Sequence, residues 1–198
     1  MALLLSLIMV FSVVGTALAA EGAPADTSIS VSGLENGDTV NFYQVLKYDE
    51  TATATGGWVA ATGFTSLSTD EIQKIVGKGD YATGGSKASQ AGIDAALAGR
   101  ISVMAQAAGV NAKFTDVAAT SGTATAATTA VGDAGLYIAL VTPGTTDHLY
   151  NPVFVAADYT AGGTNTVAAA TTLSYEPASL AKKEEITLTK EIDGTQDT

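Results

Sequence analysis

The sequence predicts an all-β fold, an immunoglobulin-like β-sandwich with a helical insertion. Three observations carry that reading. Short runs of β-branched, aromatic and alternating apolar residues occur on both sides of the chain's middle. Turn dipeptides such as Asn36-Gly37, Pro143-Gly144, Asn151-Pro152 and Gly162-Gly163 punctuate them. Between roughly residues 68 and 109 the apolar spacing changes to a helical one. At 198 residues, 46% hydrophobic and 15% charged, the chain has enough apolar surface for a packed core.

The elements follow in order. Residues 1–20, MALLLSLIMVFSVVGTALAA, carry no charge and contain Ala17-Leu18-Ala19, the small-x-small pattern read by a signal peptidase. Cleavage between Ala19 and Ala20 is expected, giving a signal peptide over residues 1–19. A membrane anchor is the alternative, because the run is near the roughly 20 residues that span a bilayer. Residues 20–26 are a polar spacer. The main domain is expected over residues 27–176. It opens with Ile29 and Val31 on one face, a turn at Asn36-Gly37-Asp38, and then Val40, Phe42, Gln44 and Leu46 alternating with Tyr43 and Val45, which reads as a two-stranded hairpin. TATATGG is a polar loop, and Trp58 returns the chain to apolar surface.

STDEIQKIVG has Ser68 or Thr69 as N-cap, acids in its first turn and Gly77 at its stop. The longer SKASQAGIDAALAGRISVMAQAAG repeats Ile93, Leu97, Ile101, Met104 and Ala108 at helical spacing and closes at Gly109. Gly92 and Gly99 weaken it by about 1 kcal/mol each relative to Ala, so packing on a sheet must hold it. From Thr115 onward the chain returns to strands: TATAATTA, GLYIALVT, PVFVAADY and NTVAAATTLSY, the last two forming a long hairpin. The Ala/Thr runs could also serve as low-complexity linker.

The net charge of −11 repels phosphate backbones and anionic headgroups, so no nucleic-acid partner is expected. Export without a single cysteine leaves the fold to be steadied by its size or by cross-links other than disulfides. His148 is the only histidine and reads as a loop residue. Asp147 and Asp158 do not give it metal-site spacing, and no metal or other cofactor is expected. No G-x-S-x-G elbow appears, so no catalytic residue is assigned and the chain is not read as an enzyme.

The lysines near the end stand out. In EEITLTKEID, Ile186, Leu188 and Lys190 share one face of an alternating run, which sets Lys190 on the apolar side of a strand. Burial there drives a lysine towards its neutral, nucleophilic amine; on an edge strand the same lysine blunts pairing with other chains.

The order of segments resembles the sortase-assembled pilins of Gram-positive bacteria, as a fimbrial backbone or basal subunit. A secretion signal is followed by TVNFYQVLKYD, which is similar to the tyrosine-rich second strand of their N-terminal domain. A helical insert, GLYIAL, NPVFVAADY and a lysine-bearing junction into ITLTKEIDG follow. The resemblance implies a structural role: a cell-wall-attached fimbrial subunit whose partners are other pilin subunits, a sortase and host surface ligands. It implies that Lys182 or Lys183 is the acceptor amine that attacks the sortase-bound acyl thioester. The family's Tyr-Pro-Lys-Asn core is replaced here by Tyr175-Glu176-Pro177-Ala178. Residues 177–198 would be a linker and the first strand of a truncated Cna-B-like domain, with Lys190 as that domain's isopeptide-forming lysine and its asparagine partner beyond Thr198. Two rivals remain: a surface adhesin or carbohydrate-binding module with Trp58 and the seven tyrosines as an aromatic platform, and a secreted hydrolase built around His148.

Overall fold

Local chemistry sets the strands and helices, and three packed layers hold them. The computed structural model describes residues 24–49, 51–76, 92–159, 173 and 175–185. Among these residues ten strands and two α-helices run in the order β1 (Ser28–Ser32), β2 (Thr39–Tyr48), β3 (Trp58–Ala60), α1 (Thr69–Val76), α2 (Ala95–Ala105), β4 (Phe114–Ala118), β5 (Thr123–Ala127), β6 (Gly135–Thr142), β7 (His148–Tyr150), β8 (Val153–Ala157), β9 (Ala178–Leu180) and β10 (Lys183–Glu185).

The large sheet has the order β3-β2-β6-β8, with β4 also pairing with β2. The small sheet has the order β5-β1-β9, in which β1 is antiparallel to β5 and parallel to β9. A separate pair joins β10 to β7. Ile29 and Val31 of β1 and Ala124 and Ala126 of β5 meet Val40, Phe42, Tyr137, Ala139, Val153 and Val155 of the large sheet in the sandwich core. On the large sheet's other face, Ile72, Ile75 and Val76 of α1 and Leu97, Ile101 and Ala105 of α2 cover Leu46, Leu136 and Ile138. The fold is thus an all-β sandwich with helices laid against one of its sheets.

This layering explains why GLYIALVT is almost continuously apolar. In β6, Tyr137 and Ala139 enter the sandwich core while Leu136 and Ile138 meet the helices, so both faces of the strand are buried. Gly135 is needed where β6 begins: a Cβ there would lie 2.1 Å from the Leu46 carbonyl oxygen, beside the register shift between Gln44 and Leu46.

Helix α1 starts as its sequence dictates. Ser68 and Glu71 exchange hydrogen bonds, with the Glu71 carboxylate accepting the Ser68 N–H at 2.9 Å and the Ser68 hydroxyl accepting the Glu71 N–H at 3.3 Å, a capping box. Helix α2 begins after Ile93, with Asp94 as its N-cap and the Asp94 side chain accepting the Leu97 N–H; SKASQ lies outside the described residues.

Three expectations change. The β1–β2 segment is an arch between the two sheets, not a hairpin, because both strands bury a face against each other and take their backbone partners from β5 and from β6. His148 lies in strand β7 and is buried, not in a loop. Residues 178–185, expected as linker and strand start, pack against the main domain: β9 extends the small sheet beside β1, Ala181 is buried in the sandwich core, and β10 pairs with β7, while residues 186–198 lie outside the described residues. The proposed hairpin partner NTVAAATTLSY lies almost wholly outside the described residues, as do the signal segment with Ala19 and Ala20, the spacer up to residue 23, and Lys190.

Candidate functional site

The two acceptor candidates sit on the rim where β9 passes into β10, and they differ. Backbone bonds fix the chain on both sides of the turn: the Ala181 N–H donates to the Ser32 carbonyl at 2.8 Å and the Asn151 N–H donates to the Lys182 carbonyl at 3.2 Å. Lys182 is exposed and makes no ion pair among the described residues. It borders an open groove of about 340 Å³ between β8 and β9, walled by Pro152, Phe154, Tyr175 and Leu180. Leu180 is 71% exposed there. Lys183 is held: its Nζ lies 2.7 Å from the Glu35 carboxylate, whose hydrogen bond raises the Lys183 pKa above the ordinary lysine value.

Behind Lys183 is a polar cluster that the sequence does not announce. Asp38, 1% exposed, accepts the N–H of Glu35 at 2.8 Å, the N–H of Gly144 at 2.8 Å and the Tyr150 hydroxyl at 2.7 Å. Burial alone would raise the Asp38 carboxyl pKa; the Gly144 N–H, the Tyr150 hydroxyl and the Glu35 N–H, with His148 nearby, outweigh it and hold the group below the usual carboxylate range. The Tyr150 hydroxyl is pushed up to about 12, first by burial and then by its bond to Asp38.

His148 presents Nδ1 to Asp147 Oδ1 at 2.7 Å, while its Nε2, 3.9 Å from Asp38 Oδ1, has no hydrogen-bond partner among the described residues. Asp147 is held at about 2, first by the Thr145 hydroxyl and then by His148. These contacts close a ring: Lys183 pairs with Tyr150 across β10–β7, Tyr150 donates to Asp38, Asp38 binds the Glu35 N–H, and the Glu35 carboxylate holds Lys183. Lys182 is the neighbour just outside it.

Asp38, Glu35, Tyr150 and Gly144 are the residues that sequence reasoning missed. The visible signal was Asp at the end of a turn, a residue type that often binds nearby backbone N–H groups.

Elsewhere the chemistry is that of packing. Trp58 is fully buried, edge-on to Tyr48 at 5.4 Å between ring centroids, and Tyr48 stacks on Tyr159 at 3.6 Å. Among the described residues, Tyr48, Tyr137 and Tyr159 are buried and Tyr43, Tyr150 and Tyr175 half-buried, so no exposed aromatic platform forms. No three His, Asp or Glu side chains among the described residues come together as a metal site. Asp158 accepts the Leu173 N–H and is distant in role from His148. No helix among the described residues is long and apolar enough to cross a membrane. No protein-family model matches this chain, and no curated protein is significantly similar to it.

Proposed function

We propose that this chain is part of the subunit of a fimbria, displayed at the cell surface and polymerised by a sortase through the amine of Lys182. The observation that carries the reading is the contrast at the β9–β10 rim. An acceptor amine must be reachable by a bulky enzyme and must lose its proton before it attacks an acyl thioester. Lys183 is tied to Glu35, which favours its charged form, whereas Lys182 is exposed, stands beside an open groove and sits on a backbone fixed by Ser32 and Asn151. A rigid backbone under a free side chain suits an acceptor, because the enzyme orders one side chain and not a loop.

The burial of Trp58 speaks against the carbohydrate-platform alternative, since a sugar-stacking indole has to be exposed. Secretion and cell-wall attachment belong to this same reading and rest on the residue 1–20 segment and the resemblance, with other subunits and a sortase as the partners.

The test is acyl transfer in vitro. A pilin-type sortase loaded with a Leu-Pro-x-Thr-Gly donor peptide is incubated with the purified chain and with Lys182→Arg, Lys183→Arg and the double variant, followed by mass mapping of the adduct. Arg keeps the charge but offers no usable amine. The adduct is expected on Lys182 of the wild type and of Lys183→Arg, and absent from Lys182→Arg. An adduct of equal yield on Lys182→Arg would overturn the assignment.

A further inference from the structure

We propose that Asn36 is a site of spontaneous deamidation, and that its isoaspartate product opens the ring that holds Lys183. The inference needs only the geometry of the Glu35–Asp38 turn and is independent of the function proposed above.

Asn36-Gly37 is the one Asn-Gly pair in the chain; the other four asparagines, Asn41, Asn111, Asn151 and Asn165, precede Phe, Ala, Pro and Thr. The reaction starts when the backbone nitrogen of the following residue attacks the asparagine side-chain carbon, and a glycine offers that nitrogen without a Cβ in the way. Asn36 and Gly37 are both exposed. The turn is pinned at its ends, by Asp38 N–H to the Glu35 carbonyl at 3.2 Å and by the Asp38 carboxylate to the Glu35 N–H at 2.8 Å. The Gly37 N–H makes no hydrogen bond among the described residues. The attacking atom is therefore solvated and free, while the residues flanking the pair are fixed. Gly37 lies at φ +96°, a conformation natural to glycine alone, so the pair cannot be relieved by a bulkier second residue without strain.

The step balances as follows. The Gly37 amide nitrogen gives up its proton and bonds to Asn36 Cγ; the Cγ–Nδ2 bond breaks and ammonia leaves with that proton, closing a succinimide. Water then adds to one of the two ring carbonyls and opens the ring, leaving aspartate or isoaspartate at position 36. The isoaspartate route passes the main chain through the former side chain and adds one carbon to the backbone between Glu35 and Asp38. That turn has little slack. Gly144 packs so closely on it that a Cβ on Gly144 would lie 2.8 Å from the Gly37 carbonyl carbon. A longer turn displaces Asp38 from Gly144 and Tyr150 together, and moves Glu35 away from Lys183.

The experiment ages the folded chain in mildly alkaline buffer at physiological temperature, with time points digested and sequenced by electron-transfer mass spectrometry. The expected result is a gain of about 1 Da, the exchange of NH2 for OH, on the Asn36 peptide before any other asparagine changes, with isoaspartate present in it. Asn36→Gln should show no gain at that peptide. An intact Asn36 in the folded chain, over an interval in which the urea-unfolded chain converts there, overturns the proposal. The structural half is read from the Tyr150 ring resonances. They should shift in the isoaspartate product and stay in place in Asn36→Asp, which adds the charge but no backbone atom; unchanged resonances in the isoaspartate product overturn it.

Discussion

Replacing Asp38 tests whether a single buried carboxylate holds the end of the sandwich where β7 and β10 pair. The side chain takes three hydrogen bonds, from Glu35 N–H, Gly144 N–H and the Tyr150 hydroxyl. A bond to a charged group contributes roughly 1.5–3 kcal/mol, and a donor left buried adds its own desolvation cost. Glu35 and Gly144 are exposed, so in Asp38→Ala their N–H groups return to water and recover most of what they lose. Tyr150 is half-buried and recovers less. The expected loss for Asp38→Ala is therefore about 3 kcal/mol, well under three full bonds.

Asp38→Asn is more selective. Oδ2 receives both Glu35 and Tyr150, and Oδ1 receives only Gly144. The amide should place its NH2 towards Gly144, sacrificing the most easily solvated partner, at about 1.5 kcal/mol. Urea unfolding at neutral pH, followed by tryptophan fluorescence of Trp58, gives both values from the midpoint at a common slope. The pH dependence has a fixed sign. The folded Asp38 pKa lies below its unfolded value of about 3.9, so its contribution is fully present above that value and is lost as pH falls through the folded pKa. The gap between wild type and Asp38→Ala should stay constant from neutral pH down to about 5 and shrink below about 4. A loss under about 0.5 kcal/mol for Asp38→Ala would refute the reasoning, since surface substitutions do as little.

Two further outcomes concern the helical layer and the sheet it covers. Ser68→Ala removes the hydroxyl half of the α1 capping box and should cost about 1 kcal/mol in the same urea assay, while Ser68→Asp should restore the loss because its carboxylate can accept the same N–H. Gly135→Ala drives a methyl into the Leu46 carbonyl oxygen and against the Gln44 amide at 2.9 Å. The bulge must move, and a loss of about 2 kcal/mol or more is expected as a lowered thermal midpoint; an unchanged midpoint would mean that β2 bends there freely.

How much of this was legible in the sequence depends on how far apart the partners are. Strand β6 and the start of α1 were readable because their signals are local: a β-rich apolar run, and a serine followed three residues later by a glutamate. The β1–β2 arch was misread because its turn and alternation are those of a hairpin. Only the pairing of Ser28–Ser32 with Thr123–Ala127, nearly a hundred residues on, turns the two strands to face each other. The helical spacing was read back to Ile93, whereas α2 starts after Asp94, an N-cap fixed further by its pairing with Lys74 of α1 at 2.5 Å. His148 looked like a loop residue because its neighbours are Thr, Asp and Pro; besides the adjacent Asp147, the carboxylate that faces its buried Nε2 belongs to Asp38, at the far side of the sequence.

The same distance argument bears on the lysines. Periodicity and position could nominate Lys182 and Lys183 together but could not separate them, since what separates them is Glu35, whose place beside Lys183 depends on three long-range facts: β9 lying parallel to β1, β10 pairing with β7, and Asp38 tying the Glu35 turn to Tyr150. Adjacent residues of an extended segment point to opposite sides, so a ring that captures Lys183 turns Lys182 outward towards the β8–β9 groove. The Glu35–Lys183 pair is half-exposed and adds little stability of its own. Its effect is to distinguish the two: it engages one of two adjacent amines and leaves the other without an ion pair among the described residues, on a backbone held by Ser32 and Asn151.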